Sequence, residues 1–453
     1  MKTDREAVVW TRIGGQPVKM GRIYVTDAEC RFTYSGEFLD TGLPGVGILY
    51  PPEIVRQTTI VRPRTEFFDL LPPVQSLIPP RGEKNFQRQL VLAYLASRGV
   101  VPRKGFDADW EILMIAGHGG IGHIDVFRDD EKALEWYSAP ARHTFFEISD
   151  RFGFSLKEFL TWFDDDAAGF VQMIGATPTV GGAIPKLLMS IPASGWTGQV
   201  GLPSKSGVEG VTDVILKFEQ TRSYPGIIEL EALALDVHEE AGLEVPRRWK
   251  AEINGIPTFV IERFDRDRGC SPVFTETLYS VFASGDQGIT SPYSTTYDAV
   301  GRAIDRSPID IVTDRRAAKQ HLLKRLLLAL ATGNGDLHLE NLSIVKRGDV
   351  LAFSPVYDPT PMRAYSMHNL LAPMPFGGYG EGASLPEALV RFTRNLGFRK
   401  NHLLGLVEEV LDVTRDYAER VRALRTLPER NKERLVAVVE SVRAGLAACS
   451  GAG

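Results

Sequence analysis

The sequence predicts an α+β protein with a β-rich N-terminal subdomain and a mostly helical C-terminal lobe. Residues 1 to about 70 contain short runs of β-branched and aromatic residues, such as Gly21–Val25 and Arg31–Tyr34, which are typical of strands. From about residue 315 to the end, apolar residues recur at helical spacing. Between these regions, residues 175 to 265 alternate between strand, glycine-loop and helix patterns. These three patterns predict two lobes of different composition.

The composition limits the classes of protein that the chain can represent. With 453 residues, 43% of them hydrophobic, the chain can bury a large core and is long enough for two or three domains or subdomains. The net charge of −5 gives no global electrostatic case for nucleic-acid binding. Three scattered cysteines without a CxxC pair predict neither a zinc site nor a disulfide framework. No signal peptide and no apolar stretch of membrane-span length are found, which predicts a cytoplasmic protein without a membrane partner.

The first half of the chain carries helix and turn signals. Apolar spacing predicts a helix over Asn85–Ser97, and residues 140 to 175 are also predicted to be helical. The glycine run Gly117–Ile124 lacks the Lys-Ser/Thr pair of a phosphate loop, so it predicts a tight turn before a strand. His118 and His123 are accordingly predicted to be turn and surface residues, not metal ligands.

The most informative motif is the pair Asp336 and Asn341, whose D-x-x-x-x-N spacing matches a kinase catalytic loop. Asp358 follows a hairpin-like segment, where a kinase places a metal-binding aspartate. Phosphoryl transfer needs a carboxylate to orient the attacking hydroxyl and oxygen ligands for Mg²⁺, and these three side chains supply both. The alternative is that Asn334-Gly335-Asp336 is an ordinary turn, because Asn and Gly tolerate positive φ.

A nucleotide site is predicted upstream of this motif. Gly181, Gly182 and Ala183 form a small-residue loop whose backbone N–H groups can approach phosphate oxygens. Lys186 adds a mobile positive charge after this loop. Lys217 lies at a buried-looking position in an apolar strand, as does the kinase lysine that pairs the nucleotide phosphates. The alternatives are that the glycines form a bulge or turn, and that Lys217 is an edge-strand lysine that prevents aggregation.

Two further elements complete the order found in kinases. Glu231 lies in the predicted helix Glu229–Glu240, where it could pair with Lys217; the alternatives are that Glu229 is the partner or that both glutamates are exposed. The segment Phe259–Asp265 is a strand that runs into charged residues, and a hinge offering backbone groups to an adenine ring is expected there. The chain carries these elements in the order found in kinases: a glycine loop, a strand with a lysine, a helix with a glutamate, a hinge, the D-x-x-x-x-N motif and an aspartate. This consistency predicts ATP-dependent phosphotransfer.

These residues resemble the HipA family of serine/threonine kinases, the toxins of bacterial type II toxin–antitoxin modules. The segment Glu262–Arg266 is close to the family's E-R-F-D-R hinge, and Asn334–Asn341 is similar to its N-x-D-x-H-x-x-N loop. Tyr357-Asp358 matches its Y-D metal segment. Gly181–Lys186 looks like its G-A-Q-x-K loop, with Ile184 in place of glutamine. The resemblance covers most of the chain and implies a two-lobed, protein-kinase-like fold.

The resemblance implies a role for each residue. Asp336 would orient or deprotonate the substrate hydroxyl, and Asn341 and Asp358 would bind Mg²⁺. Lys217 would contact the phosphates of ATP. The other residues assigned to ATP binding are Gly181, Gly182, Ala183, Lys186, Glu231, Glu262, Arg263, Phe264 and His338. Within that set, the hinge segment would hold adenine.

The same resemblance implies a function, partners and a domain division. It implies an ATP- and Mg²⁺-dependent protein serine/threonine kinase that arrests growth, with aminoacyl-tRNA synthetases as known family targets. A helix-turn-helix antitoxin would bind the kinase and bring it to DNA only indirectly. The predicted division is a β-rich subdomain at 1–130, a nucleotide-binding lobe at 131–265 and a helical catalytic lobe at 266–453. Thr179 is the candidate autophosphorylation site, because family members phosphorylate a serine near that position.

Departures from the family pattern leave two alternatives open. The altered glycine loop would suit a catalytically weak, kinase-like binding module that acts through an antitoxin–DNA complex. The fold does not determine which molecule accepts the phosphate, so the second alternative is a kinase that phosphorylates a small molecule. Residues Tyr293–Tyr297 are expected to form a mobile, substrate-facing loop, and differences there would alter the choice of target.

Overall fold

The computed structural model divides the chain into two compact units. The described residues are 4–55, 58–82, 85–138, 145–148, 184–204 and 208–451. Unit 1 comprises Met1–Phe218, Arg247–Glu276 and Ala283–Gly285, and unit 2 comprises Glu219–Pro246, Thr277–Phe282 and Asp286–Gly453. Most of the predicted helical stretch at 140–175 lies outside the described residues, and its described part contains the short strand Phe146–Glu147.

The order of elements confirms the predicted fold class, with strands concentrated early and helices late. The strands are β1 (Arg5–Thr11), β2 (Val18–Val25), β3 (Glu29–Tyr34), β4 (Ile60–Pro63), β5 (Asp125–Phe127), β6 (Phe146–Glu147), β7 (Lys186–Pro192), β8 (Gln199–Val200), β9 (Val211–Phe218), β10 (Arg248–Ile253), β11 (Ile256–Glu262), β12 (Phe274–Thr277), β13 (Ser343–Arg347) and β14 (Val350–Phe353). The helices are α1 (Gly36–Leu39), α2 (Pro72–Gln75), α3 (Phe86–Ser97), α4 (Phe106–Ala116), α5 (Asp130–Ser138), α6 (Ile227–Glu240), α7 (Leu278–Gly285), α8 (Tyr297–Arg306), α9 (Arg315–Thr332), α10 (Leu385–Asn395), α11 (Lys400–Val413), α12 (Tyr417–Arg422) and α13 (Glu429–Ala447).

The β-rich region of unit 1 is a five-stranded antiparallel sheet in the order β4-β3-β2-β1-β5. Alternate residues of β3, namely Cys30, Phe32 and Tyr34, are buried, because successive side chains of a strand point to opposite faces. The predicted helix α3 begins after Asn85, whose side chain accepts a hydrogen bond from Arg88 N at 2.9 Å. This N-cap fixes the start of the helix where the sequence placed it.

The second sheet of unit 1 has the order β10-β11-β9-β7, so β9 is an interior strand. Val214 and Phe218 of β9 belong to the hydrophobic core on one face of the sheet. Lys217 lies on the other face, directly opposite Lys186 of β7 and Phe259 of β11. Lys217 is therefore buried on an interior strand, and the edge-strand alternative is excluded.

An ion network holds the glycine run of unit 1 against the end of β11. Asp265 pairs with both Arg263 and Arg266 at 2.8 Å, and all three side chains are enclosed. The guanidinium groups of both arginines donate to the carbonyl of Gly120, and Gly122 N donates to Asp265 Oδ2 at 2.8 Å. Burial alone raises the pKa of Asp265, but the charges of Arg263 and Arg266 outweigh it and lower the pKa to about 2.

The glycine run forms the predicted turn before β5, but its two histidines are not surface residues. His118 and His123 are both buried. The His118 ring stacks on Phe127 with centroids 4.6 Å apart, and His123 Nε2 lies 2.9 Å from the carbonyl oxygen of Gly45. Burial lowers the pKa of His123 to about 4. The prediction of exposed histidines is wrong because residues distant in sequence pack over the turn.

Unit 2 is mostly helical and is organised around α9. This helix begins after Asp314, whose side chain accepts a hydrogen bond from Ala317 N at 2.9 Å. Its buried leucines occupy every side of the helix, as expected for a helix inside a core: Leu322, Leu323, Leu326, Leu327, Leu328 and Leu330. Within the described part of the chain, no helix has the length and apolarity that a membrane span requires.

Replacing Asp265 with asparagine should destabilise unit 1, because Arg263 and Arg266 would lose their shared buried counter-ion. We expect a loss of about 3–5 kcal/mol in the free energy of unfolding, measured by urea titration at pH 7. Since the folded-state pKa of Asp265 is depressed, this contribution is present above the unfolded-state pKa and disappears as pH falls through about 2.

The control for this prediction is Glu6→Gln, which breaks an exposed pair with Arg22 and should change stability little. Similar urea midpoints for the Asp265 and Glu6 variants would contradict the importance of the buried network.

Candidate active site

Two glycines shape the loop Asn334–Asn341, which follows α9. Gly333 ends the helix in the left-handed conformation with φ 76°, and Asn334 N donates to the carbonyl of Ala329 at 2.8 Å. At Gly335, a Cβ atom would lie 2.5 Å from the carbonyl oxygen of Leu370, so only glycine allows this close approach. Neither Asn334 nor Gly335 has the positive φ on which the ordinary-turn alternative rested.

The loop is closed by hydrogen bonds to the backbone of Asp336. The carbonyl oxygen of Asp336 accepts from Asn341 Nδ2 at 2.7 Å and from His338 N at 2.9 Å. Asp336 N donates to Asn334 Oδ1 at 2.8 Å. The side chain of Leu337 is buried and anchors the loop in the protein interior. Because the amide nitrogen of Asn341 is used inside the loop, its amide oxygen is the atom suited to a metal.

The imidazole of His338 directs a neutral N–H group at the carboxylate of Asp336. Its Nδ1 accepts a hydrogen bond from Glu340 N at 3.2 Å. Burial lowers the pKa of His338 to about 4, against a raising effect from the charge of Asp358. The ring is therefore neutral at pH 7 and carries its proton on Nε2, which lies 3.6 Å from Asp336 Oδ1.

Tyr293 is a second neighbour of the Asp336 carboxylate. Its hydroxyl lies 3.4 Å from Asp336 Oδ1, and its ring meets the ring of His338 edge-on with centroids 4.8 Å apart. Burial and the charge of Asp336 raise the pKa of Tyr293, so its hydroxyl stays protonated. The Asp336 side chain nevertheless remains 37% exposed, which leaves it accessible to a substrate.

Two tyrosine hydroxyls hold the backbone of the loop. Tyr297 donates to the carbonyl of Leu337, and Tyr357 donates to the carbonyl of Glu340. Tyr297 is the first residue of α8 and is fully buried, so the prediction of a mobile, substrate-facing segment is wrong for this residue. Its side chain is needed to satisfy a loop carbonyl, which the local sequence pattern does not reveal.

Asp358 supplies the second carboxylate near the loop. It has a φ of 48°, a left-handed conformation that non-glycine residues adopt rarely and that clusters at functional sites. Its charge raises the pKa of His338, which places its carboxylate near that ring. Among the described residues, no group of three or more His, Cys, Asp or Glu side chains forms a metal cluster. Asn341 and Asp358 fit Mg²⁺, because this ion commonly takes few protein ligands together with phosphates and water.

Two predicted phosphate ligands come together in unit 1. Lys186 and Lys217 are cross-strand partners in β7 and β9, and both are buried. Residues directly opposite in an antiparallel pair have Cβ atoms about 4.5–5.5 Å apart. Two positive charges this close are unfavourable by themselves and favourable beside a polyphosphate. The sequence predicted a phosphate contact for each lysine, which stays a prediction, but did not predict that the two would be opposite one another.

The hinge residues have different surroundings. Glu262 forms a bidentate pair with Arg247, with its Oε2 2.6 Å from Nε and its Oε1 3.2 Å from Nη2. The side chain of Arg263 is enclosed by Asp265 and Gly120, and its backbone N–H donates to the carbonyl of Asp213 at 2.9 Å, so neither its guanidinium group nor its N–H is available to a ligand. Phe264 is half-buried. For these residues the predicted contact with adenine stays a prediction.

The remaining predicted residues are placed as follows. Glu231 is fully buried in α6, and its pairing with Lys217 stays a prediction. Gly181, Gly182, Ala183 and Thr179 lie outside the described residues. Sequence reasoning missed the support that Tyr293 and Tyr297 give to the loop, and the only signal was the density of tyrosine and hydroxyl residues in that segment.

The fold and the loop define the class of protein: a protein-kinase-like α+β protein with one β-rich and one mostly helical unit. HipA of Shewanella oneidensis MR-1, solved in complex with HipB and its operator DNA, shares this fold. The TM-score is 0.60 at 15% sequence identity, and the alignment covers 96% of each chain.

Comparison of sequences identifies the family. The model of the HipA-like C-terminal domain matches residues 179–418, which is more than half of the chain. A putative kinase of Haemophilus influenzae is 23% identical over 309 residues, covering 62% of this chain and 84% of that protein. Putative kinase Y4mE of Sinorhizobium fredii is 28% identical over 220 residues, covering 44% of this chain and 49% of that protein. The chain therefore belongs to the HipA-like C-terminal domain family.

The neutral state of His338 can be tested by NMR titration of the histidine ring signals. We expect His338 to protonate near pH 4, well below the ordinary value of 6.5, because burial disfavours its charged form. Since the folded-state pKa is depressed, the stability associated with neutral His338 is present above pH 6.5 and is lost as pH falls through about 4.

The variant His338→Gln assigns the signal, and half-exposed His368 provides an internal comparison. Protonation of His338 near pH 6.5 would contradict the assignment of a neutral Nε2–H donor facing Asp336.

Proposed function

We propose that this protein is an ATP- and Mg²⁺-dependent protein serine/threonine kinase. The observation that carries the proposal is the Asn334–Asn341 loop, in which an accessible carboxylate on Asp336 and an oriented amide on Asn341 are fixed by hydrogen bonds. Phosphoryl transfer depends mainly on positioning and charge stabilisation, so a rigid loop of this kind supplies what the reaction needs. The names of the two putative kinases support the same activity.

Asp336 would act on the acceptor hydroxyl. Its carboxylate would accept the hydroxyl's hydrogen bond, orient the oxygen towards the γ-phosphate and take the proton as the new O–P bond forms. The hydroxyl of Tyr293 donates to Oδ1 at 3.4 Å and would help to hold the carboxylate in one orientation, and the neutral Nε2–H of His338 lies beside the same oxygen at 3.6 Å. Because neither group is charged at pH 7, they position the base without reducing its proton affinity as strongly as a cation would.

We assign the proposed contacts to the nucleotide and to the metal residue by residue. Lys186 and Lys217 would contact its phosphates, and the backbone of Glu262–Phe264 would face adenine. Asn341 and Asp358 would hold Mg²⁺, which when bound neutralises phosphate charge. We assign Glu231, Gly181, Gly182, Ala183 and His338 to ATP binding on the family resemblance.

We propose a toxin role for this kinase. The related Shewanella oneidensis structure contains HipA with HipB and operator DNA, which supports a helix-turn-helix antitoxin as partner here and contact with DNA only through it. The target would be a protein in the cytoplasm, such as an aminoacyl-tRNA synthetase, and Thr179 would be an autophosphorylation site. The proposed division of labour is a β-rich subdomain at 1–130, a nucleotide lobe at 131–265 and a catalytic lobe at 266–453.

The experiment that tests the activity is transfer of labelled phosphate from Mg²⁺-ATP to proteins of a cell lysate by the purified full chain. Asp336→Asn should lower the rate at least about a hundredfold, because a general base contributes 10²–10⁴-fold to such steps. Binding of Mg²⁺-ATP, measured as a thermal shift, should persist in this variant because Asp336 acts on the acceptor.

The matched control is Asp349→Asn, an identical substitution in the exposed turn between β13 and β14. Full transfer by Asp336→Asn would refute the assigned base. Nucleotide binding without transfer to any protein by the wild-type chain would favour a binding module, and transfer to metabolites alone would favour a small-molecule kinase.

A further inference from the structure

Arg363 is attached to the loop that carries Asp336. It lies in the 3₁₀ turn Met362–Ala364, after the segment of Asp358. Its backbone N donates to the carbonyl of Gly333 at 3.1 Å. Its side chain runs along Gly335, where a Cβ atom would be 3.1 Å from Arg363 Cγ. The position of this side chain is therefore tied to the backbone that immediately precedes Asp336.

The guanidinium group of Arg363 has no counter-ion in the described part of the chain. Its Nε and Nη1 atoms are buried and make no hydrogen bond to the described residues. Its charged neighbour is a second cation, Arg434 of α13, whose Nε donates to the carbonyl of Arg363 at 3.1 Å and whose Nη2 donates to Asn369 Oδ1. Burial lowers the pKa of Arg363; the nearby Tyr379 hydroxyl opposes this effect and the charge of Arg434 adds to it.

Arg363 and Arg434 differ from three buried arginines that have a carboxylate partner, although Arg325 is also buried without an ion pair among the described residues. Arg263 and Arg266 share Asp265, and Arg88 pairs with Asp109 at 2.6 Å. A charge withdrawn from water without a counter-ion is unfavourable, and an adjacent like charge adds to this penalty. Two adjacent arginines without an acidic partner among the described residues therefore reduce stability and suit an anion that those residues do not supply.

We propose that Arg363, supported by Arg434, binds an anionic side chain of the protein substrate close to the acceptor hydroxyl. This inference rests on the proposed kinase function. The guanidinium group binds carboxylate and phosphate groups through paired N–H donors, so the ligand is an aspartate, a glutamate or a phosphorylated residue. We assign the anion to the protein substrate and not to ATP, because Arg363 is attached to the loop of the proposed base. The phosphates of ATP already have Lys186 and Lys217 as proposed ligands.

The first test uses inorganic phosphate as probe with the full chain. Phosphate should raise the melting temperature of the wild type above that in chloride at equal ionic strength, and Arg363→Met should lose this shift. Without phosphate, Arg363→Met should be as stable as the wild type or more stable, because a desolvated unpaired charge is removed. A side chain kept only for structure would instead lower stability when replaced.

The control for charge is Arg415→Met, which removes one cation whose side chain is 78% exposed in the same unit and should keep the phosphate shift. Equal phosphate shifts in the wild type and Arg363→Met would mean an adventitious ion only and would overturn the proposal.

The second test measures phosphorylation of serine peptides with aspartate, phosphoserine or alanine at each position near the acceptor. The wild type should prefer an anionic residue at one position, and Arg363→Met should lower kcat/KM for that peptide by about tenfold while the alanine peptide is unaffected. The aspartate and phosphoserine peptides distinguish a carboxylate from a phosphorylated ligand.

Two results overturn the proposal: an unchanged preference in Arg363→Met, or a rise in the KM for ATP, which would assign the arginine to the nucleotide. If the wild type phosphorylates no peptide or protein, the proposed function fails, while the phosphate shift still decides whether the anion site exists.

Discussion

The carbonyl oxygen of Asp336 accepts hydrogen bonds from the backbone of His338 and from the side chain of Asn341, and the arrangement of the candidate site depends on these two bonds. They close the Asn334–Asn341 loop, so Asp336, the proposed base, and Asn341, the proposed metal ligand, are held in one hydrogen-bonded segment. The buried hydroxyls of Tyr297 and Tyr357 satisfy two more carbonyls of the loop. A short polar segment is thereby fixed at the end of α9 without exposing unpaired backbone groups.

Compensation of buried charge is the second principle that organises the molecule. In unit 1, Asp265 pairs with two arginines that also face Asp213, and it ties the glycine run to the end of β11. Lys186 and Lys217 bring two positive charges together where a polyphosphate is expected, and Arg363 and Arg434 do the same beside the loop of Asp336. For Arg363 and Arg434, a ligand is the proposed source of the negative charge, so that arrangement favours binding over stability.

Much of the fold and part of the site could be predicted from the sequence. Period-two and helical patterns identified the N-terminal strands, α3 with its Asn85 cap and the helical C-terminal region, because these patterns follow from local geometry. The spacing of Asp336 and Asn341 identified one loop, since five residues can form a closed turn. The register that places Lys186 opposite Lys217 could not be predicted, because strand pairing depends on residues far apart in sequence. The burial of His118 and His123 was missed for the same reason.

The most direct test of the central claim is to compare the phosphoproteins of cells that express the wild type and cells that express Asp336→Asn at equal levels, by mass spectrometry. The account predicts growth arrest and new phosphoserine or phosphothreonine sites in the wild-type culture, both absent from the variant. Normal growth without new phosphorylated proteins, or the same new sites in both cultures, would contradict phosphoryl transfer by this loop.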